Sequence, residues 1–332
     1  MKKILYFILI ISTIGCSYNQ GIHYSISEDD IVEVKHLIKE VVIDTPLIGS
    51  WSRPYIINEY LVISDANSIE NQVNLFKKDD FSYVTGTGLR GQGPKEITTV
   101  GALMSDETHR KLYVSDYGKM NILIFEMDSL LTNPDYFPER NIKMNETTFP
   151  DRFYYVNDTL CYARTIIVEE GKHFQQNLVK WNMKTSKYHN FIEGHPRVER
   201  KRSNFTVSAE HNLIVDCYTH HDLIGLYTLD GELKTYIYGS SWNDRTDNSM
   251  IYHNGVIICK DYILTGYSGG QNWSNEQFVN QFLVFDIHGN FIKSLKLGYR
   301  VSDFCYDMDN NRIFLVLNDE IQFAYLPLET IL

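Results

Sequence analysis

A short apolar strand recurs along the chain at a spacing of about 50 residues: Leu61-Val62-Ile63-Ser64-Asp65, Leu112-Tyr113-Val114-Ser115-Asp116, Leu160-Cys161-Tyr162, Leu213-Ile214-Val215-Asp216, Ile263-Leu264-Thr265 and Ile313-Phe314-Leu315-Val316. A fixed period of this length marks a repeat architecture, in which each unit must stack on its neighbours to bury its apolar faces.

Each unit then carries a second strand, often followed by a polar turn and a third strand. The second strands include Ile122-Leu123-Ile124-Phe125, Leu178-Val179-Lys180-Trp181, Leu226-Tyr227-Thr228-Leu229 and Phe282-Leu283-Val284-Phe285. Asp230-Gly231 and His288-Gly289-Asn290 supply glycine for the positive φ angles of tight hairpins. Tyr 23 and Phe 17 against only 8 Pro suit strands, and no long helical periodicity follows the N-terminus. Sheets of about four strands repeating at this period are propeller blades. The expected fold is therefore all-β: a six-bladed β-propeller over residues 31–332. Its last unit ends one strand short, so residues 37–43 are expected to supply that strand and close the ring.

The segment Gly88-Leu89-Arg90-Gly91-Gln92-Gly93-Pro94-Lys95-Glu96-Ile97 carries a Gly-x-x-Gly-x-Gly-Pro-x-Glu pattern. Together with the repeats it resembles the TolB-like and NHL-like six-bladed propeller lipoproteins of Bacteroidetes, with Lys95 and Ile97 departing from the commonest residues there. That resemblance implies a fold more than a chemistry, because propellers host binding proteins, lactonases, lyases and scaffolds.

At the N-terminus, Lys2 and Lys3 precede an apolar run over residues 4–11 and then small or polar residues, which is signal-peptide anatomy. The run is far short of the roughly 20 residues that span a bilayer. Thr13-Ile14-Gly15-Cys16 resembles a lipobox, with Thr13 where leucine is usual, and implies removal of residues 1–15 and lipidation of Cys16. The plain alternative is an ordinary signal peptide with a chance cysteine. By the same resemblance, Ser17 implies outer-membrane sorting, and Tyr18-Asn19-Gln20-Gly21 lacks an acidic export tag. A lipidated tether over residues 16–30 and a body facing the periplasm follow, with membrane contact through the lipid alone.

The formal net charge of −11 disfavours nucleic acid, which binds through lysines and arginines that displace phosphate counterions. Cys161, Cys217, Cys259 and Cys305 lie far apart in apolar segments, so they read as buried free thiols rather than a disulfide framework or zinc site.

Several motifs invite chemistry. The glycines at 86–94 lack the Gly-Lys-Ser/Thr and helix of a phosphate loop and read as a connection between blades. Gly266-Tyr267-Ser268-Gly269-Gly270 matches a hydrolase Gly-x-Ser-x-Gly but leads into another strand, not the helix that a nucleophile elbow requires. Asp65, Asp116 and Asp216 end comparable strands; they either cap turns or line a rim able to hold calcium, which needs six to eight converging oxygens. The run Arg197-Val198-Glu199-Arg200-Lys201-Arg202 reads as a solvated loop, with an anionic ligand group as the alternative.

The long connections expected on one face span residues 165–177, 193–203, 218–222, 239–249 and 267–277. On or beside this face lie Arg90, Tyr117, Tyr218, His220, His221, Trp242, Tyr267 and Trp273. Aromatic planes beside amides and arginines suit sugars or peptides. The expected function is a non-enzymatic envelope binding module or scaffold without a cofactor, its partner a glycan, peptide or protein. The second reading is a metal-dependent lactonase or lyase using calcium at the central channel.

Overall fold

The apolar runs of the repeat become strands buried on both faces, which is why they read as continuous rather than alternating. In Tyr60–Ser64, Leu61 and Ile63 pack with Phe314, Val316 and Phe323, whereas Val62 packs on the opposite side with Val100, Leu112 and Val114. Successive side chains of a strand point to opposite faces, so one strand joins the sheet before it to the sheet after it. The computed structural model describes residues 21–133, 135–169, 173–199, 201–245 and 247–332. The signal peptide and Cys16 lie outside the described residues.

Four sheets stand by themselves. The first runs Arg53–Ile57, Tyr60–Ser64, Asn71–Lys77 and Tyr83–Leu89; the second runs Val100–Asp106, Lys111–Asp116, Asn121–Glu126 and Asn141–Lys143. The third runs Thr148–Asn157, Leu160–Glu169, His173–Asn182 and Lys187–Ile192. The fourth runs Ser203–Ser208, Leu213–Tyr218, Leu223–Tyr227 and Leu233–Tyr238, with Ile22–His23 added in parallel at its outer edge. Each sheet is antiparallel from strand to strand within its repeat, and the arrangement is that of a β-propeller.

The expected six separate blades in a ring closed by an N-terminal strand are corrected here. The last two repeats form one eight-stranded sheet, because Phe291–Asp307 runs as a single strand of 17 residues. Its first half pairs with Val279–Asp286 and its second half with Arg312–Leu317, and Val301 pairs with both Val279 and Leu317. Of the stretch 37–43, only Lys39–Glu40 forms a strand, on the outer edge of Phe323–Pro327. Leu37 ends a 3-10 turn instead. The expected tether is docked from Ile22 onward, and the Tyr24 hydroxyl donates to Asp222 at 2.6 Å.

Apolar clusters cement neighbouring sheets. Trp181, Phe153 and Cys161 of the third sheet pack against Ala102, Met104 and Tyr113 of the second. Ile214 and Tyr227 of the fourth pack with Tyr162 and Leu178 of the third. Burial of this kind is worth about 25 cal/mol per Å² of apolar surface. Three of the thiols behave as core: Cys161, Cys217 and Cys259 are buried and free, and burial pushes the Cys161 thiol up to about 12, whereas Cys305, also free, is only partly buried and lines a large central cavity.

The glycine signature joins the first sheet to the second as a clasp around Glu96. Its carboxylate accepts from the Gly93 N–H at 2.6 Å, and a Cβ on Gly91 would sit 2.0 Å from it. Ile97 fills the core below, and its carbonyl accepts from the Gln72 amide at 2.6 Å.

Candidate functional site

Each repeat contributes one strand to a central cavity of about 580 Å³: Arg53–Ile57, Val100–Asp106, Thr148–Asn157, Ser203–Ser208, Met250–Cys259 and the second half of Phe291–Asp307. Five of them are the first, edge strands of their sheets, whereas Phe291–Asp307 lies inside the eight-stranded sheet between Val279–Asp286 and Arg312–Leu317. At one end, Arg53, Arg152 and Asp303 line the cavity together. Arg53 Nε lies 4.0 Å and an Arg152 terminal nitrogen 3.8 Å from the same Asp303 oxygen.

Those separations are ion-pair distances rather than hydrogen bonds, and Arg152 Nε is buried without a hydrogen-bond partner. Burial opposes the Arg53 charge, but Tyr55 and Asp303 outweigh it and hold that guanidinium above its ordinary pKa. Arg152 is pushed below its ordinary value by burial and then by the charge of Arg53.

Beside them stands a saturated arginine. Arg164 donates to both oxygens of Asp151, at 2.8 and 2.6 Å, and to the carbonyl of Ser203 in the next sheet. The Tyr117 hydroxyl donates to the Asp151 carbonyl and accepts from the Ala102 N–H, both at 3.3 Å. The group holds three guanidiniums against two carboxylates, so this end of the cavity is cationic within an acidic chain. Toward the far end the lining includes Asp106 and Glu107.

The expected ligand residues divide. Tyr218, His221 and Trp242 come together, with His221 to Tyr218 at 6.4 Å and to Trp242 at 5.8 Å between ring centroids. They form a packed cluster with His195 and Tyr238 rather than an open platform, since Tyr218 is fully buried and its hydroxyl oxygen accepts from the His195 backbone N–H at 2.8 Å. Burial lowers the pKa of both His195 and His221. His220 turns its Nδ1 to the Met250 carbonyl at 2.8 Å, and Tyr267 packs on His253 at 5.3 Å. Arg90 is exposed and reaches the Asn67 carbonyl, at 3.4 Å. Tyr117 braces Asp151, and Trp273, 89% exposed, stands on its own loop. None of the eight lines the central cavity.

Two expected loops are shorter than read, because strands Leu160–Glu169, His173–Asn182 and Tyr262–Gln271 extend into them. Ser268 lies in the last of these; its hydroxyl donates to the Glu276 carbonyl at 2.5 Å and accepts from the Gly270 N–H, so it secures a turn. Asp65 and Asp116 accept turn N–H groups, from Gly49 and Asn67 and from Thr98, Thr99 and Gly118. Asp216 does not cap a turn. It is buried mid-strand with Lys201 Nζ 2.6 Å from its oxygen. Among the described residues, no three of His, Cys, Asp and Glu converge as a metal site, and no helix is long and apolar enough to cross a membrane.

The sequence reading missed Arg53, Arg152 and Asp303. A signal was present: Arg53-Pro54-Tyr55 and Arg152-Phe153-Tyr154 repeat an Arg-x-Tyr step in the first strand of two units. Trp51, exposed two residues before Arg53 and 5.6 Å from Phe278 between ring centroids, was also passed over.

No protein-family model matches the sequence, and no curated protein matches it. Among solved structures, the chain is similar to a Bacteroides fragilis protein described as exported, with 10% identity, a TM-score of 0.56, and 92% of this chain and 98% of that chain covered. It is also similar to a member of the DUF4221 family from Bacteroides vulgatus, with 10% identity, a TM-score of 0.57, and 87% and 94% covered. At this identity the likeness extends to the fold, and it does not single out the TolB-like or NHL-like type.

Proposed function

We propose that this protein is an exported, non-enzymatic binding module of the cell envelope, whose ligand, a glycan or peptide, enters the central cavity. The observation that carries the reading is the cavity itself: six strands from six repeats converge on about 580 Å³, within the size range of small-ligand pockets. On the same ground, the eight-stranded sheet serves as two blades sharing one strand, so that six units surround the site. The enzyme reading has less support, since the carboxylates at the cationic end are engaged with arginines.

Thr206 lines the cavity, and Thr206→Trp would fill much of it. Binding to a panel of envelope glycans and peptides is expected to weaken at least about tenfold in that variant, a loss of 1.4 kcal/mol or more. Thermal melting checks that the fold survives. Undiminished binding would move the ligand off the cavity, and chelator-sensitive turnover of a lactone or uronic polymer would restore the enzyme reading.

For localisation we propose an outer-membrane lipoprotein anchored at Cys16. Cys16→Ala is expected to abolish fatty-acid labelling and release the chain from the membrane fraction. A variant that keeps its lipid and location would show that the anchor lies elsewhere.

A further inference from the structure

We infer that the cavity recognises a carboxylate on its ligand, taken between Arg53 and Arg152 in competition with Asp303. The inference rests on the cavity being the binding site and adds the chemistry of what binds there.

Three observations carry it. First, the two arginines share one carboxylate at separations of 4.0 and 3.8 Å, beyond hydrogen-bond length, so neither guanidinium spends its fork of donors on Asp303. Second, Arg152 Nε is buried without a partner, a cost that a ligand oxygen would relieve. Third, Arg164 shows what a structural arginine looks like in the same neighbourhood: two hydrogen bonds to Asp151 and another to Ser203. The paired planar forks of Arg53 and Arg152 match a carboxylate, which accepts two parallel N–H bonds. Asp303 then acts as the internal counter-ion that keeps the empty site from holding two uncompensated charges. An incoming carboxylate must displace its influence, so removing the Asp303 charge should tighten binding rather than weaken it.

The test uses the intact chain in detergent and isothermal titration with two matched pairs of probes. One is digalacturonic acid with its methyl ester, the other tri-alanine with its C-terminal amide. At least one free carboxylate is expected to bind, with its neutral counterpart at least about tenfold weaker, and that pair identifies the carboxylate as coming from a sugar or from a peptide end. Arg53→Gln and Arg152→Gln should each weaken the charged probe by a similar factor, and the corresponding lysine variants should retain more. Asp303→Asn should tighten it severalfold, which loss of a merely structural ion pair would not do. Circular dichroism melts exclude misfolding as the cause of any loss. If charged and neutral probes bind alike, the carboxylate inference falls while the cavity reading stands. If none of the four binds, or if Asp303→Asn weakens binding, the inference is also overturned, and Thr206→Trp with the wider panel decides the cavity reading separately.

Discussion

Lys201→Ala is expected to lose about 3–5 kcal/mol of stability, because it leaves Asp216 as an unpaired buried charge. The Asp216 side chain has no exposed surface, and Lys201 Nζ lies 2.6 Å from its Oδ2 and 5.6 Å from the Tyr218 ring centroid. Neither Asp216 oxygen makes an aligned hydrogen bond, so the carboxylate depends on the lysine's charge. Because a buried pair can be replaced by well-packed apolar groups at little cost, the double variant Lys201→Met with Asp216→Leu should recover most of the loss. Urea denaturation at pH 7 measures both. A Lys201→Ala variant within about 1 kcal/mol of the parent would mean that water screens the pair as it does at a surface.

Trp181→Ala should cost a similar amount, about 3–5 kcal/mol, through the cavity it leaves between the second and third sheets. The ring is 1% exposed and packs against Phe153 edge-on and Tyr188 in a stack, both at 5.8 Å between centroids. Because its indole N–H has no acceptor, Trp181→Phe removes an unsatisfied donor together with some packing, and it should be clearly milder than alanine. The two melts side by side check this. Equal losses in both variants would show that the indole nitrogen has a water or other hydrogen-bond partner.

Much of the fold was legible because its cause is local. Leu61-Val62-Ile63 reads as a doubly buried strand from side-chain type alone, and Asp230-Gly231 and His288-Gly289 announce their turns, with φ of +90° and +94° at the glycines. Three of the four thiols were rightly read as core from their apolar neighbours, and Cys305, only partly buried, was not. The basic run at 197–202 misled, since Lys201 is recruited into the interior by Asp216, while Arg197 stays outside on Asp244. The aromatic loop residues misled in a related way. Tyr, His and Trp suit ligands and loop packing equally well, and it is contact of Tyr218 and Trp242 with His195, distant in the chain, and of both with His221 that makes them a packed cluster.

What the sequence by itself determined is the inventory: an all-β chain of about 50-residue units, with its core strands, hairpin turns and the glycine-rich connection between the first two units, since strand propensity, alternation and positive φ are properties of a few adjacent residues. Only the tertiary structure decided where one sheet ends and the next begins. Residues 291–307 carry one strand in place of two because Val279 and Leu317 both offer hydrogen bonds to Val301, and no local signal encodes partners on both sides. The same holds for the cationic mouth. Arg53 and Arg152 acquire their meaning from lying within 4.0 Å of one Asp303 oxygen, and an electrostatic interaction depends on separation in space, to which separation along the chain is blind.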